Sequence, residues 1–193
     1  LRLFQSSESL YYDETTLPRL SLSDLDLGAF ENFLEETGQA DLGVDQQRLL
    51  KNWRLMTGDH PTIAGIILFG RKPQQHLPYV QVNAARIPGI DVSMEPSDMK
   101  DITGRLLDVI DQVQRFLKLH LPIPHEIKGF SPEAKPELPE EALREAVVNA
   151  VAHRDYTVMG PIRIFILDDR IEIHTPGRTP NTVDEAAMRA GVH

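Results

Sequence analysis

One short segment of the chain places three chemically useful side chains at regular intervals. Within "EALREAVVNAVAHRDY" (residues 141–156), Glu145, Asn149 and His153 follow one another four positions apart. At 3.6 residues per turn, residues with this spacing share one face of a helix. An Asn carbonyl can join the shell of a Mg²⁺ ion without adding charge, and a Glu can orient or deprotonate a water molecule. Because Mg²⁺ takes few protein ligands and binds substrate phosphates, the pattern favours a Mg–ATP site, with a solvated helix face as the alternative.

The apolar residues of the same segment predict what this helix packs against. They supply its other face: Leu143, Val147, Val148, Ala150 and Val151. Downstream, "PIRIFIL" (161–167) and "RIEIHT" (170–175) alternate apolar and polar residues, which is typical of half-buried strands. The pair Asp168–Asp169 separates them, so the sequence predicts an antiparallel hairpin with the helix packed on it.

Upstream of this helix the patterns predict a body of mixed helices and strands. Helical spacing runs over 27–38 (with Asp24 or Asp26 as the cap), 44–55 and 101–121; residues 79–89 alternate like a strand, and 61–78 fit a buried helix or a strand. Five prolines in the twenty residues 122–141 indicate a linker, which includes a short strand near 126–130. We therefore predict an α+β chain: a central α/β domain at 1–121, a proline-rich linker at 122–135, and a helix-on-antiparallel-sheet domain at 136–193.

Composition narrows the class of protein. The 193 residues are 41% hydrophobic and 25% charged, as in ordinary globular proteins, and contain no cysteine for disulfide or thiolate chemistry. The net charge of −9 argues against a surface that binds nucleic acid over its whole extent. We see no signal peptide and no apolar run near the about 20 residues of a membrane span, which predicts a cytoplasmic protein. Because the chain lacks an initial Met and ends inside an apparent helix at "RAGVH", we expect a fragment of a longer protein.

Several segments together resemble a known family. "REAVVNAVAHRDY" followed by "GPIRIFILDDRIEIHTPG" is similar to the ATP-binding segment of RecG-related, Schlafen/AlbA-type bacterial proteins, and "PTIAGIILFGRKPQQHLP" and "RLSLSDLDLGAFENFL" resemble their upstream part. These proteins are described as transcriptional regulators or helicase-related proteins. The resemblance implies that 136–193 begin a GHKL-like domain with the Bergerat fold, in which the ATP-covering lid after Gly177 is missing.

The same resemblance implies roles for individual residues. Glu145 and Asn149 match the Glu-x-x-x-Asn motif of GHKL proteins, so Asn149 would coordinate Mg²⁺ and Glu145 would act as the general base. The Asp-x-Gly motif that contacts adenine aligns with Thr175-Pro176-Gly177, where Gly177 is retained and Thr175 replaces the acid. The implied nucleotide-binding residues are Asn149, His153, Arg154, Thr175 and Gly177.

Several alternatives remain open at this stage. His153 could instead lock the helix end against the hairpin, and Arg154 could form a local ion pair with Asp155 rather than contact phosphate. The whole C-terminal part could be a degenerate, non-catalytic dimerisation or interaction module that has lost its nucleotide. We expect at most a slow ATPase, a homodimer as partner, and DNA contact only through segments outside this chain. The sequence has no helicase motif, P-loop or zinc-ligand spacing.

Overall fold

The computed structural model describes residues 11–39, 43–121, 125–128, 131–134 and 138–177, and it confirms the predicted α+β class. The helices are α1 (Leu27–Glu36), α2 (Gln46–Asn52), α3 (Ile63–Phe69), α4 (Pro73–His76), α5 (Leu106–His120) and α6 (Glu140–Ala152). The strands are β1 (Met56–Thr57), β2 (His60–Pro61), β3 (Val82–Arg86), β4 (Asp98–Ile102), β5 (His125–Lys128), β6 (Ser131–Ala134), β7 (Ile162–Ile166) and β8 (Ile171–His174). Two 3-10 helices, Tyr12–Glu14 and Leu22–Asp24, precede α1.

The first hydrophobic core lies among the four N-terminal helices and the β1–β2 hairpin. Its buried members run in sequence from Leu25 to Val80. Phe30 is completely buried, and its ring meets Trp53 and Phe69 edge-on, with centroid separations of 5.5 and 5.0 Å. Edge-to-face contacts of this kind add to the stabilisation that burial of the rings already provides.

Side-chain caps explain where these helices begin. Asp26 accepts a hydrogen bond from the Ala29 N–H at 3.2 Å, which confirms one of the two predicted caps of α1. Thr62 does the same for α3 by accepting from the Gly65 N–H at 3.1 Å. Such caps satisfy N–H groups that have no partner inside the helix. The segment 61–78, which the sequence left open between helix and strand, is therefore mainly helical: Pro61 ends strand β2, and α3 and α4 follow.

A four-stranded sheet forms the centre of the second half of the structure. Its strand order is β4-β3-β7-β8. The outer pairs are antiparallel, whereas β3 and β7 run parallel in the register Val82↔Ile162. The predicted β7–β8 hairpin is thus present, but the sheet to which it belongs is mixed rather than wholly antiparallel.

Helices α5 and α6 cover one face of this sheet and bury the second core. Its buried residues include Val113 and Phe116 from α5, Val147 and Val151 from α6, and Ile164 from β7. The stripe predicted on α5 therefore faces this core. The prediction that a helix covers 101–121 was wrong at its start, because residues 101 and 102 belong to the edge strand β4.

The sheet also corrects the predicted domain boundary. Strands β3 and β4 lie before the proline-rich segment and β7 and β8 lie after it, yet all four share one sheet. The buried core residues divide between Val80 and Val82 instead of near residue 121. The physical reason is the parallel β3–β7 pairing, which joins strands about eighty residues apart and leaves no local signal in the sequence.

Two further expectations concern the ends of the chain. None of the helices among the described residues is both long enough and apolar enough to span a membrane. The first ten residues of the predicted extended segment and residues 178–193, where the lid is expected to be missing, lie outside the described residues.

The packing of α3 makes a testable prediction at Gly65. A Cβ built on Gly65 would lie 2.1 Å from the backbone O of Leu55, which cannot move aside like a side chain. We expect Gly65→Ala to lower the free energy of unfolding by about 1–3 kcal/mol, although Ala is ordinarily the better helix former. Urea denaturation followed by circular dichroism measures this change.

Gly28 in α1 is the matched control, since it is also a glycine in the first turn of a helix. A Cβ there would meet only Asp26 Oδ1, at an ordinary 3.5 Å. Gly28→Ala should therefore raise the free energy of unfolding by about 0.5–1 kcal/mol. A gain in stability for both variants would show that α3 does not pack as described.

Candidate functional site

The three evenly spaced polar residues lie on the solvent side of α6. Glu145, Asn149 and His153 are exposed, whereas Val147 and Val151 face the second core. None of the three polar side chains forms a hydrogen bond or ion pair with another described residue. Their oxygen and nitrogen atoms are thus available to a ligand from outside.

His153 corrects one sequence-based alternative. Its backbone N–H donates to the Asn149 carbonyl at 3.0 Å, as the last turn of a helix requires, but its exposed ring forms no hydrogen bond with the described residues of the hairpin. Val148, predicted to pack on the sheet, is also 36% exposed. The anchoring of this helix end comes from the next two residues, Arg154 and Asp155.

Arg154 is a buried residue that ties the end of α6 to the backbone before β3 and to the loop before β7. Only 5% of it is exposed. Its guanidinium donates to the carbonyl oxygens of Tyr79 at 2.9 Å, Val158 at 3.1 Å and Gly160 at 2.6 Å. The same group lies over the rings of Tyr79 and Tyr156, at 5.4 and 5.1 Å from their centroids. Cation–π contacts of this kind are strongest when the cation is removed from water.

This burial contradicts the predicted contact between Arg154 and phosphate. Its terminal N–H groups already donate to backbone carbonyls, and its Nε is buried without a partner among the described residues. Burial lowers the pKa of the guanidinium, while the neighbouring Tyr156, Tyr79 and Asp155 oppose that shift. Arg154 is therefore a structural residue. The sequence shows it only as one of many basic residues, because its carbonyl acceptors depend on the tertiary fold.

Asp155 joins the end of α6 to the end of the β7–β8 hairpin. Its backbone N–H donates to the Pro176 carbonyl at 3.0 Å, and its Oδ1 accepts from the Thr157 N–H at 2.9 Å. Gly177, the residue after Pro176, has a φ of +146°, and a Cβ there would lie 3.2 Å from the Cβ of Asp155. Gly177 is thus a close-approach glycine, and the chain it approaches is that of Asp155. Thr175 is exposed beside it.

A depression opens where the end of α6 meets the first 3-10 helix. It has a volume of about 350 Å³ and is lined by Tyr12, Asp13, Ala152, Arg154, Asp155 and Tyr156. Burial raises the pKa of the Tyr156 hydroxyl, Arg154 lowers it, and the carboxylate of Asp13 raises it further. The negative charge of Asp13 therefore acts on the Tyr156 hydroxyl, whose side chain lines the depression.

The donor atoms on α6 suit Mg²⁺ and a nucleotide. The amide oxygen of Asn149 is a hard oxygen ligand, which this ion prefers, and the carboxylate of Glu145, one helical turn away on the same exposed face, could orient a water molecule. No group of three or more His, Cys, Asp or Glu placed to hold a metal exists in the part of the chain that the structure describes. The site would thus offer an incomplete shell that phosphates and water complete.

Comparison with known proteins supports the fold and leaves the family open. No family model and no curated protein matches this chain. Among solved structures, the chain is similar to the DIP2311 protein from Corynebacterium diphtheriae, with a TM-score of 0.68 and 18% identity over 94% of this chain. The match covers 36% of that protein's chain. At this level of identity the likeness is one of fold alone.

The carbonyl cluster around Arg154 makes a testable prediction. Replacing Arg154 with Met keeps a long apolar side chain but leaves three carbonyls without their donor. We expect Arg154→Met to lower the free energy of unfolding by about 3–5 kcal/mol, and Arg154→Lys to lower it by less, because an ammonium keeps the charge but not the fork of donors. Chemical denaturation monitored by tryptophan fluorescence measures both.

Arg163→Met is the control for this experiment, since Arg163 lies exposed on β7. A surface substitution of this kind changes stability by about 0.5 kcal/mol or less. Equal effects of the substitutions at Arg154 and Arg163 would contradict the structural role assigned to Arg154.

Proposed function

We propose that this chain is part of a RecG-related, Schlafen/AlbA-type transcriptional regulator that binds Mg–ATP on α6. The nucleotide acts as a switch of conformation or dimerisation, and turnover is slow where it occurs. Asn149 holds the metal, and Glu145 orients a water or serves as its general base. DNA contact belongs to segments outside this chain.

One observation carries this proposal. An exposed amide and an exposed carboxylate stand one turn apart on a helix that is otherwise rich in Ala and Val, and neither has a partner in the part of the chain that the structure describes. A helix that needed only solubility could use the Lys–Glu pairs that also support helix formation. On the side of α6 that faces α5, the charged residues do have partners: Lys118 meets Glu140 at 2.8 Å and Arg144 meets Asp111 at 3.6 Å across the two helices.

The surroundings of this pair favour a metal-bound nucleotide over a free one. Glu141 and Glu145 are both exposed on the first half of α6, so their carboxylates repel a bare triphosphate. Bound Mg²⁺ would supply the positive charge that neutralises the phosphates. Helix α6 itself is held in place by the second core and by Asp155, so the oxygen donors sit on a rigid element.

Asn149→Ala in the full-length protein is the direct test. We expect it to weaken Mg-dependent ATP binding at least tenfold, because the metal loses its amide ligand. Glu145→Gln should leave ATP binding in place and reduce any ATP hydrolysis about a hundredfold or more. Isothermal titration calorimetry with and without Mg²⁺ measures binding, and phosphate release measures hydrolysis.

Asn52→Ala serves as the matched control, because Asn52 is an exposed amide at the end of α2. It should bind ATP as the unaltered protein does. If Asn149→Ala also binds ATP normally, the site assignment is wrong. If the unaltered protein binds no ATP with Mg²⁺, the alternative of a dimerisation or interaction module replaces the proposal.

A further inference from the structure

We propose that the depression lined by Tyr12, Asp13, Ala152 and Asp155 receives the base of the nucleotide, and that Asp13 selects a base with an exocyclic amino group. The inference rests on the proposed function, since it needs a nucleotide on α6. It adds the direction in which that nucleotide lies and the residues that read its base.

The first step is the geometry of α6. Glu145 and Ala152 are seven residues apart, which is two turns, so they lie on the same face at a separation of about 10 Å along the axis. Asn149 stands between them, three residues before Ala152. The exposed face that carries Glu145 and Asn149 therefore leads at its C-terminal end into the depression that Ala152 lines.

The second step is the space available at the two ends of the helix. With the phosphates at Glu145 and Asn149, the two ends of α6 offer different spaces for the rest of the nucleotide. Near its start, the cavity beside Glu140 and Leu143 measures about 10 Å³. The depression at its C-terminal end measures about 350 Å³, which lies in the range of about 300–1,000 Å³ typical of small-molecule sites.

The third step is charge, which excludes the phosphates from this depression. The carboxylate of Asp13 lines it, and the C-terminal end of a helix carries partial negative charge. Among the described residues that line it, the one cation is Arg154, which is 5% exposed and donates to three backbone carbonyls. A neutral base that donates hydrogen bonds fits this surface, and a triphosphate does not.

The fourth step identifies the groups that would contact the base. Tyr12 is half-buried and lines the depression, and aromatic rings stack on bases of any sequence. The carboxylate of Asp155 is engaged with Thr157. The Asp13 carboxylate has no hydrogen bond or ion pair to another described residue, and an ionised carboxylate accepts but never donates. It therefore favours a base that presents an amino group.

The test compares ATP with inosine triphosphate, which carries an oxygen in place of the amino group of adenine. Calorimetry on the full-length protein with Mg²⁺ should show ATP binding about tenfold more tightly than inosine triphosphate, as expected for a hydrogen bond to a charged group. Asp13→Ala should remove this preference by weakening ATP alone. Asp59→Ala, at a carboxylate whose side chain is 97% exposed, should leave the preference unchanged.

Substitutions of Tyr12 test whether its aromatic ring stacks on the base. Tyr12→Leu should weaken both nucleotides by a similar factor, because stacking does not distinguish the two purines, and Tyr12→Phe should restore binding. Circular dichroism shows whether each variant is folded.

Two results would overturn the inference, and they differ in what they say of the proposed function. If ATP binding depends on Asn149 while Asp13→Ala leaves the ratio of the two affinities unchanged, the nucleotide lies on α6 with its base elsewhere. If neither nucleotide binds to the unaltered protein, the proposed function fails and the base site fails with it.

Discussion

The second half of this fold depends on one buried guanidinium. Arg154 donates to the carbonyl of Tyr79, just before β3, and to the carbonyl of Gly160, just before β7. These two strands are the parallel pair at the centre of the sheet. A planar, permanently charged group with several donors in a fixed fork is well suited to hold two strand starts together, and a lysine is not. The free energy lost in burying the charge is offset only if those carbonyls stay in place.

The position of the candidate site follows from this constraint. Arg154 and Asp155 come directly after α6, so the anchor that fixes the central strands also fixes the end of the helix that carries Asn149. Asp155 extends the connection to Pro176 at the end of the hairpin. Tyr156 packs against the first core although it follows a helix of the second. A ligand on α6 would therefore lie beside the junction of the two cores. A small displacement of the end of α6 at this point would alter the packing of both cores.

Local patterns predicted the elements better than their arrangement. Asp26 as a cap, the apolar stripe of α5 and the β7–β8 hairpin could all be read from the sequence, because each depends on residues a few positions apart. Strand β4 could not, since four of its five residues are exposed and no apolar alternation marks it. The β3–β7 pairing and the burial of Arg154 depend on contacts between distant segments. The same limit applies to the site: the spacing of Glu145 and Asn149 is visible in the sequence, whereas the approach of Tyr12 and Asp13 to α6 is not.

The "HRDY" segment shows how structural and ligand-binding roles can be separated. A single exposed polar residue needs no explanation, because most polar residues of a folded protein are exposed. Around α6, however, these polar residues fall into two groups. Arg154 and Asp155 form hydrogen bonds within the protein. The side chains of Glu145, Asn149 and His153 form no hydrogen bond or ion pair with another described residue. Residues of the first kind are explained by folding, so substituting them tests stability and says little about a ligand. Residues of the second kind are exposed, and their side chains form no such bond with another described residue, so substituting them tests for a ligand while disturbing the fold little.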